Sequence, residues 1–282
     1  MRVLLIAGGW SNERQVSLNG AAEIEKALHS LGHEVVLFDL QPDLSLLIKA
    51  TENCDTAFIN LHGNPGEDGL VQALLEDIKF PYQGSGPVGS FLSLNKNLSK
   101  QIYRNHGLPT PDWYMLSPGK KDILDKLPFP CIAKPNSGGS SLGLEILNNK
   151  HELEYFLENT SIPRHEIMLE EFIPGIELTC TVLDNQTLPP ILIKPKKSSY
   201  FDYASKYDPD GAQEICPAPV PQELSKELSR LSIEAHQSIL ETNTLPGMTR
   251  TSLVPKAALT AGLKFNKLIQ ILLDLSESRY SE

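Results

Sequence analysis

The first third of the chain alternates two kinds of hydrophobic pattern. "RVLLIAGG" (2–9) is a near-continuous apolar run closed by paired glycines, as in a strand buried on both faces. "SLNGAAEIEKALHSLGH" (17–33) repeats apolar residues every three or four positions and reaches a glycine near its end, which predicts a helix. "EVVLFDL" (34–40) and "CDTAFINLHG" (54–63) read as further strands, and "DGLVQALLEDI" (68–78) as a second helix. Strands and helices alternating in this way predict an α/β domain with a parallel sheet, helices on both faces, and a ligand crevice at the C-terminal strand ends. Gly8-Gly9 and His62-Gly63 fall at two of those ends.

Beyond "PYQGSGPVGS" (81–90) the pattern changes. A helix over "NKNLSKQIYRNHG" (95–107), a strand at "FPCIAKP" (129–135), a helix near "KHELEYFLEN" (150–159) and a strand at "EIMLEEFI" (166–173) follow. From "GIELTCTVLD" (175–184) the strands are short and hairpin-like. The stretch "KSSYFDYASKYDPDGAQEICPAP" (197–219) is polar, aromatic and almost aperiodic, which predicts an ordered active-site loop. Leu224, Leu228, Leu231, Ala235 and Ile239 then mark an amphipathic helix, and "NKLIQILLDLSE" (266–277) a C-terminal one.

One junction breaks the usual punctuation. In "HQSILETNTLPGMT" (236–249) the helical pattern stops at Ile239 and a different pattern starts at Leu240, with no Gly, Pro or Asn between them.

The composition is that of an ordinary soluble globular protein, 40% hydrophobic and 21% charged over 282 residues. A net charge of −10 makes nucleic acid or an anionic membrane surface a poor partner. No apolar run is long enough to cross a bilayer, and the N-terminal run reads as a strand and not a signal peptide, so the cytoplasm is the expected compartment. Cys54, Cys131, Cys180 and Cys216 show no C-x-x-C pairing and are expected to be reduced, with Cys131 and Cys180 inside strands.

Several short stretches could carry chemistry. On a strand, Glu241 and Asn243 point to one face, so a carboxylate and an amide oxygen converge as hard ligands suited to Mg²⁺. A solvated strand face before a Pro246-Gly247 turn would look the same. "KPNSGGSSLG" (134–143) is a glycine- and serine-rich loop whose backbone N–H groups and hydroxyls suit phosphate oxygens, with Lys134 beside it; a flexible hairpin is the plain alternative. There is no Walker A motif. "GSGPVG" (84–89) matches G-x-G-x-x-G only formally, because Pro87 interrupts it and no acidic residue follows at the spacing a ribose needs. Glu13 could hold the ammonium of an amino acid, or simply favour a helix N-terminus. His62 could meet a carboxylate, or be structural.

In order along nearly the whole chain, these stretches resemble the D-alanine–D-alanine ligases of the ATP-grasp superfamily. G-G-x-S-x-E-R-x-V-S-L appears as Gly8 to Leu18, and H-G-x-x-G-E-D-G as His62 to Gly69. Lys96 and Lys100 stand where the family has M-D-K-x-x-x-K, with Leu94-Asn95 in place of Met-Asp. Lys134-Pro135 and Gly139 to Gly143 match the nucleotide lysine and the phosphate loop. "FDYASKY" matches the D-Y-x-x-K-Y of the family's F-x-D-Y-x-x-K-Y loop with Lys206 and Tyr207, and Glu241-x-Asn243 with Ser252-Leu253 matches the metal and substrate signature.

The resemblance implies a three-domain ATP-grasp fold, divided here at 1–84, 85–170 and 171–282. It implies that a first D-alanine carboxylate attacks the γ-phosphate of ATP and that a second D-alanine's amine displaces phosphate from the acyl phosphate. Lys96, Lys134, Gly139, Ser141 and Gly143 are then expected on the phosphates, Glu170 and Glu177 on the nucleotide, and Lys206 on the transferring phosphoryl group. Glu13, Ser140 and Tyr207 are expected to close the site around the D-alanines; His62, Ser252 and Leu253 to bind them; Glu241 and Asn243 to hold Mg²⁺ or Mn²⁺. The implied partners are small molecules, D-alanine and ATP, and a homodimer is compatible. Between Ile239 and Leu240 the family carries a further R-x-D segment of roughly twenty residues, about two strands and a turn in size. This chain lacks it, and with it a metal-ligating Asp and an Arg for the tetrahedral intermediate. Three readings stay open: an active ligase, a relative that binds nucleotide without ligating, and a ligase whose acceptor is D-lactate or D-serine.

Overall fold

The structure, a computed structural model, describes residues 1–116, 128–198, 200–208, 210–239, 245–249 and 251–279. The chain forms two compact units: Met1–Ser93 with Leu178–Leu192 and Ile215–Glu282, and Leu94–Glu177 with Ile193–Glu214.

The first unit opens with β1 (Arg2–Gly8), α1 (Arg14–Ser30), β2 (Glu34–Leu40), α2 (Ser45–Thr51), β3 (Thr56–Ile59), α3 (Leu70–Asp77) and α4 (Pro87–Leu94). The sheet is parallel, in the order β2-β1-β3, as the alternating pattern predicts. Its central strand, β1, is shielded from water from Val3 to Ala7, which explains the unbroken apolar run. Because side chains alternate along a strand, Leu4 and Ile6 share one face and pack with Leu47, Val71 and Leu75 from α2 and α3. α1 packs on β1 and also against the C-terminal helix α10 described below. The edge strand β3 is finished by a side chain: Gln83 accepts from Ile59 N (2.7 Å) and donates to Ile59 O (2.8 Å).

The second unit contains α5 (Lys96–Asn105), β4 (Trp113–Met115), β5 (Cys131–Pro135), β6 (Glu145–Leu147), α6 (Lys150–Asn159) and β7 (Ile167–Glu171). The strands form an antiparallel sheet in the order β4-β7-β5-β6. One face is apolar: Cys131, Ala133, Leu147, Ile167 and Leu169 pack with Leu153 and Phe156 of α6. The other face carries the polar residues of the candidate site.

The rest of the chain supplies β8 (Glu177–Thr179), β9 (Val182–Leu183), β10 (Gln186–Thr187), β11 (Ile191–Pro195), α7 (Tyr203–Tyr207), β12 (Ala212–Ile215), α8 (Gln222–Ile239), α9 (Leu253–Thr260) and α10 (Phe265–Arg279). β9 and β10 form the expected hairpin, and β8, β11 and β12 a small sheet in the order β12-β11-β8. Two expectations change. The stretch read as an aperiodic loop at 197–219 contains α7 and β12. The helix starts because Asp202 Oδ1 accepts from Ser205 N at 2.7 Å, satisfying a first-turn donor. Cys180 lies just past β8 and not inside a strand. All four cysteines are free.

Candidate active site

Strand register assembles the centre of the second unit. Glu170 on β7 lies opposite Ile132 on β5 and Trp113 on β4. Lys134 is two residues beyond Ile132, so Trp113, Glu170 and Lys134 share one face of the sheet. The Glu170 carboxylate receives two ammonium groups there: Lys134 Nζ at 2.5 Å on Oε1 and Lys100 Nζ, from α5, at 2.6 Å on Oε2. Burial alone would raise the Glu170 pKa, but the two lysines outweigh it and hold the carboxyl below its ordinary value. Lys100 is anchored further by Thr110 Oγ1 (2.6 Å) and by the Trp113 ring, 4.9 Å from its nitrogen. Trp113 Nε1 in turn donates to Asn97 Oδ1 at 2.8 Å, and Arg104 stacks on the ring.

Beside this cluster runs the loop after β5. Lys96 Nζ donates to Gly138 O at 2.7 Å, and Asn136 Oδ1 accepts from Asn97 N at 2.9 Å, so α5 clamps the start of the loop. Ser140 and Ser141 hold left-handed φ angles of 52° and 57°, a costly conformation for residues with a Cβ and one concentrated at functional sites. Gly143 is left-handed too, and a Cβ there would come within 2.9 Å of Ile162. Gly139 is exposed in the same loop. The Ser141 hydroxyl donates to Phe201 O at 3.0 Å, fastening the loop to the segment before α7. Lys206, on α7, lies 5.4 Å from the Phe201 ring centre. Glu177 meets the same segment: burial raises its pKa, opposed by Lys206 and by a hydrogen bond from the Phe201 backbone. Tyr207 ends α7, but its side chain lies outside the described part of the structure.

The first unit holds the other predicted residues. Glu13, at the start of α1, is 7% exposed and its carboxylate lies against Gly63, where a Cβ would come within 3.2 Å of Oε2. His62 is also 7% exposed. Its carbonyl accepts from Ser11 Oγ at 2.6 Å, and Ser11 Oγ accepts from Glu13 N at 3.1 Å. Burial lowers the His62 pKa, against the pull of Glu13 and a hydrogen bond with the Leu245 backbone. Its Nε2 is buried and has no hydrogen-bond partner among the described residues. Arg14 does not enter this site: it grips Asp39 at 2.6 and 2.7 Å and donates to Gly9 O at 2.9 Å. Ser252, just before α9, bonds Thr249 through its hydroxyl (3.1 Å from N, 2.8 Å from Oγ1), and Leu253 opens the helix.

The structure therefore brings together Lys134 with Glu170, Glu177 with Lys206, and Glu13 with His62. Glu241 and Asn243 lie outside the described residues, and among those described no cluster of three metal-ligating side chains occurs. Glu13 belongs to one unit and Ser140 to the other. Sequence reading placed Lys100 in a motif but gave it no role; Trp113 and Thr110 were missed. Their signal lies in strand register, which no local pattern displays.

This α/β fold is similar to that of the D-alanine–D-alanine ligase of Bacillus anthracis, with a TM-score of 0.88 at 36% identity over 99% of this chain and 98% of that one. A structure of that organism's ligase complexed with ATP gives 0.86 at 35%, with the same coverage. The fold is an ATP-grasp fold. The family described as D-Ala–D-Ala ligase C-terminus matches residues 102–240 and 234–274. The chain is 48% identical to the D-alanine–D-alanine ligase of Desulfovibrio desulfuricans (98% of this chain, 97% of the relative). It is 49% identical to that of Nitratidesulfovibrio vulgaris strain DP4, over 98% of each. The chain belongs to the D-alanine–D-alanine ligase family.

The family match breaks in two at 234–240, the junction singled out in the sequence. An alignment of 297 positions holds 98% of this 282-residue chain, so the Desulfovibrio relative carries residues that this chain lacks.

Proposed function

We propose that this protein joins two D-alanines into D-alanyl-D-alanine at the expense of ATP, for peptidoglycan precursor synthesis. The observation that carries the reading is the buried Lys100–Glu170–Lys134 cluster beside the 136–143 loop. Two ammonium groups on one carboxylate leave a net positive charge next to a loop of hydroxyls and backbone donors, as an anionic phosphate chain requires.

Phosphoryl transfer needs positioning and charge neutralisation more than covalent help. Lys96, Lys134, Gly139, Ser141 and Gly143 hold the phosphates in this reading, Glu170 and Glu177 the nucleoside, and Lys206 the transferring group. Protonated at its unpaired Nε2, His62 pairs with a substrate carboxylate in this reading and the buried Glu13 with a substrate ammonium, with Ser252 and Leu253 on the second amino acid; Ser140 and Tyr207 close the site. A divalent metal, Mg²⁺ or Mn²⁺, would offset phosphate charge, with Glu241 and Asn243 its proposed ligands. The three-part division at 84 and 170 and a cytoplasmic location belong to the same reading; no helix among the described residues is long and apolar enough to cross a membrane. So does a homodimer; Leu70 on α3 and Val88 and Phe91 on α4 are exposed apolar side chains.

The split match at 234–240 favours a second reading, a relative that binds nucleotide but ligates slowly or not at all. Loss of one oxyanion donor typically costs about 10²–10³ in rate. ADP release with and without D-alanine, with the dipeptide identified by mass, separates the two. D-alanine-dependent ADP release with dipeptide formed supports the ligase; saturable ADP binding with no dipeptide supports the impaired relative. A dipeptide-free ester product from D-lactate would instead identify another acceptor.

A further inference from the structure

Both lysines on Glu170 are within ion-pair distance, yet they are held differently. Lys100 has three partners: the carboxylate at 2.6 Å, Thr110 Oγ1 at 2.6 Å and the Trp113 ring at 4.9 Å. Its side chain is 8% exposed. Lys134 is 17% exposed, is the penultimate residue of strand β5 just before the 136–143 loop, and has Glu170 as its ion-pair partner. If Lys134 swings toward a phosphate, the buried carboxylate must keep a counter-charge, because an unpaired buried ion is strongly unfavourable. Lys100 supplies that charge without moving. We infer that Lys100 is a positioning residue, the standing counter-ion of Glu170, and that Lys134 is the exchangeable partner that transfers to the nucleotide phosphates.

The inference rests on the nucleotide reading above and adds a division of labour that the family motif does not state. With Lys100 removed, Glu170 retains Lys134 as its sole ammonium partner in the cluster, and each phosphate contact must then be made in competition with a buried carboxylate. The cost of Lys100→Met therefore depends on Glu170. With Glu170→Gln in place there is no anion to compensate, and Lys100 matters less.

Calorimetry with Mg·ADP on the full chain tests this, alongside thermal unfolding without ligand. Lys100→Met is expected to weaken ADP about tenfold, and Lys100→Arg, which keeps the charge, by less than about threefold. In a Glu170→Gln background, Lys100→Met should add less than about twofold. Lys134→Met should lose ADP affinity yet unfold close to the wild-type temperature, whereas Lys100→Met should unfold clearly lower. A Lys100→Met chain that fails to fold while Lys134→Met folds normally supports the same asymmetry. Unchanged ADP affinity in folded Lys100→Met, the same loss with and without Glu170, or a larger drop in unfolding temperature for Lys134→Met would overturn the inference. Wild-type protein that binds no ADP would overturn the nucleotide reading itself, and this inference with it.

Discussion

Two amphipathic helices of nearly equal length in the same unit meet very different fates. α1 has 17 residues and buries Ser17, Gly20, Ala21, Ile24, Ala27 and Leu28; α8 has 18 and buries only Ile239. Both carry apolar residues at helical spacing, and Leu224 on α8 is 41% exposed. α1 has a sheet beneath it and α10 beside it, while α8 leans on the short β9–β10 hairpin. An apolar stripe records that a helix is meant to be covered, but the cover must come from elsewhere in the chain. The family match splits at 234–240, at the C-terminal end of α8, which is where the resemblance implies a further R-x-D segment.

Core truncation should separate the helices most sharply. Ile24→Ala opens a cavity against the central sheet and is expected to cost about 2–5 kcal/mol. Leu231→Ala on α8 should cost less than about 1 kcal/mol, because little packing is there to lose. Urea unfolding of both variants checks this, and similar losses would show that α8 is packed as tightly as α1.

Gly20→Ala probes how closely α1 sits on its neighbour. A Cβ would come within 2.8 Å of Asn60 Nδ2, whose amide donates to Ser17 O at 2.7 Å in a buried network with the Ser17 hydroxyl. The change should destabilise by about 1–3 kcal/mol although alanine is the better helix former. A stabilised variant would mean that Asn60 yields without loss.

A smaller, pH-dependent effect belongs to His62. Its pKa is lowered by burial, so the unfolded chain binds the proton more readily than the folded one. Stability should be intact above the ordinary histidine value near 6.5 and should decline as pH falls through it toward the lowered value. His236, also lowered by burial, contributes a slope of the same sign. His62→Gln should flatten the decline without abolishing it, and an unchanged slope would place the titration elsewhere.

Legibility followed the same division between local pattern and distant partner. The bounds of β2 and α6 agree with "EVVLFDL" and "KHELEYFLEN", because seven to ten residues of consistent period suffice to show a strand or helix. α4 and α9 are as long as α3 but contain Pro87, Gly89 and Pro255, which read as turn residues, and α2 is shorter still, so none shows a period of its own in the sequence. α7 was missed for the same reason, although Asp202 three residues before Ser205 was a usable capping signal. Lys134, Glu170, Glu13 and His62 could be picked out by motif. That Lys100 shares Glu170 with Lys134 depends on α5 meeting one face of a sheet whose register is set by residues far apart in sequence.

The most direct test of the central claim, that the split match at 234–240 marks a missing R-x-D segment in a ligase family scaffold, is to supply one. A family-like R-x-D hairpin inserted between Ile239 and Leu240 should cover α8 and return the missing charges. D-alanine-dependent ADP release would be measured for the chain with and without it. The expected result is a rate at least about 100-fold higher with the insert, accompanied by a higher unfolding temperature. Equal rates in two folded proteins would contradict the account, since the residues already present would then be supplying all the chemistry.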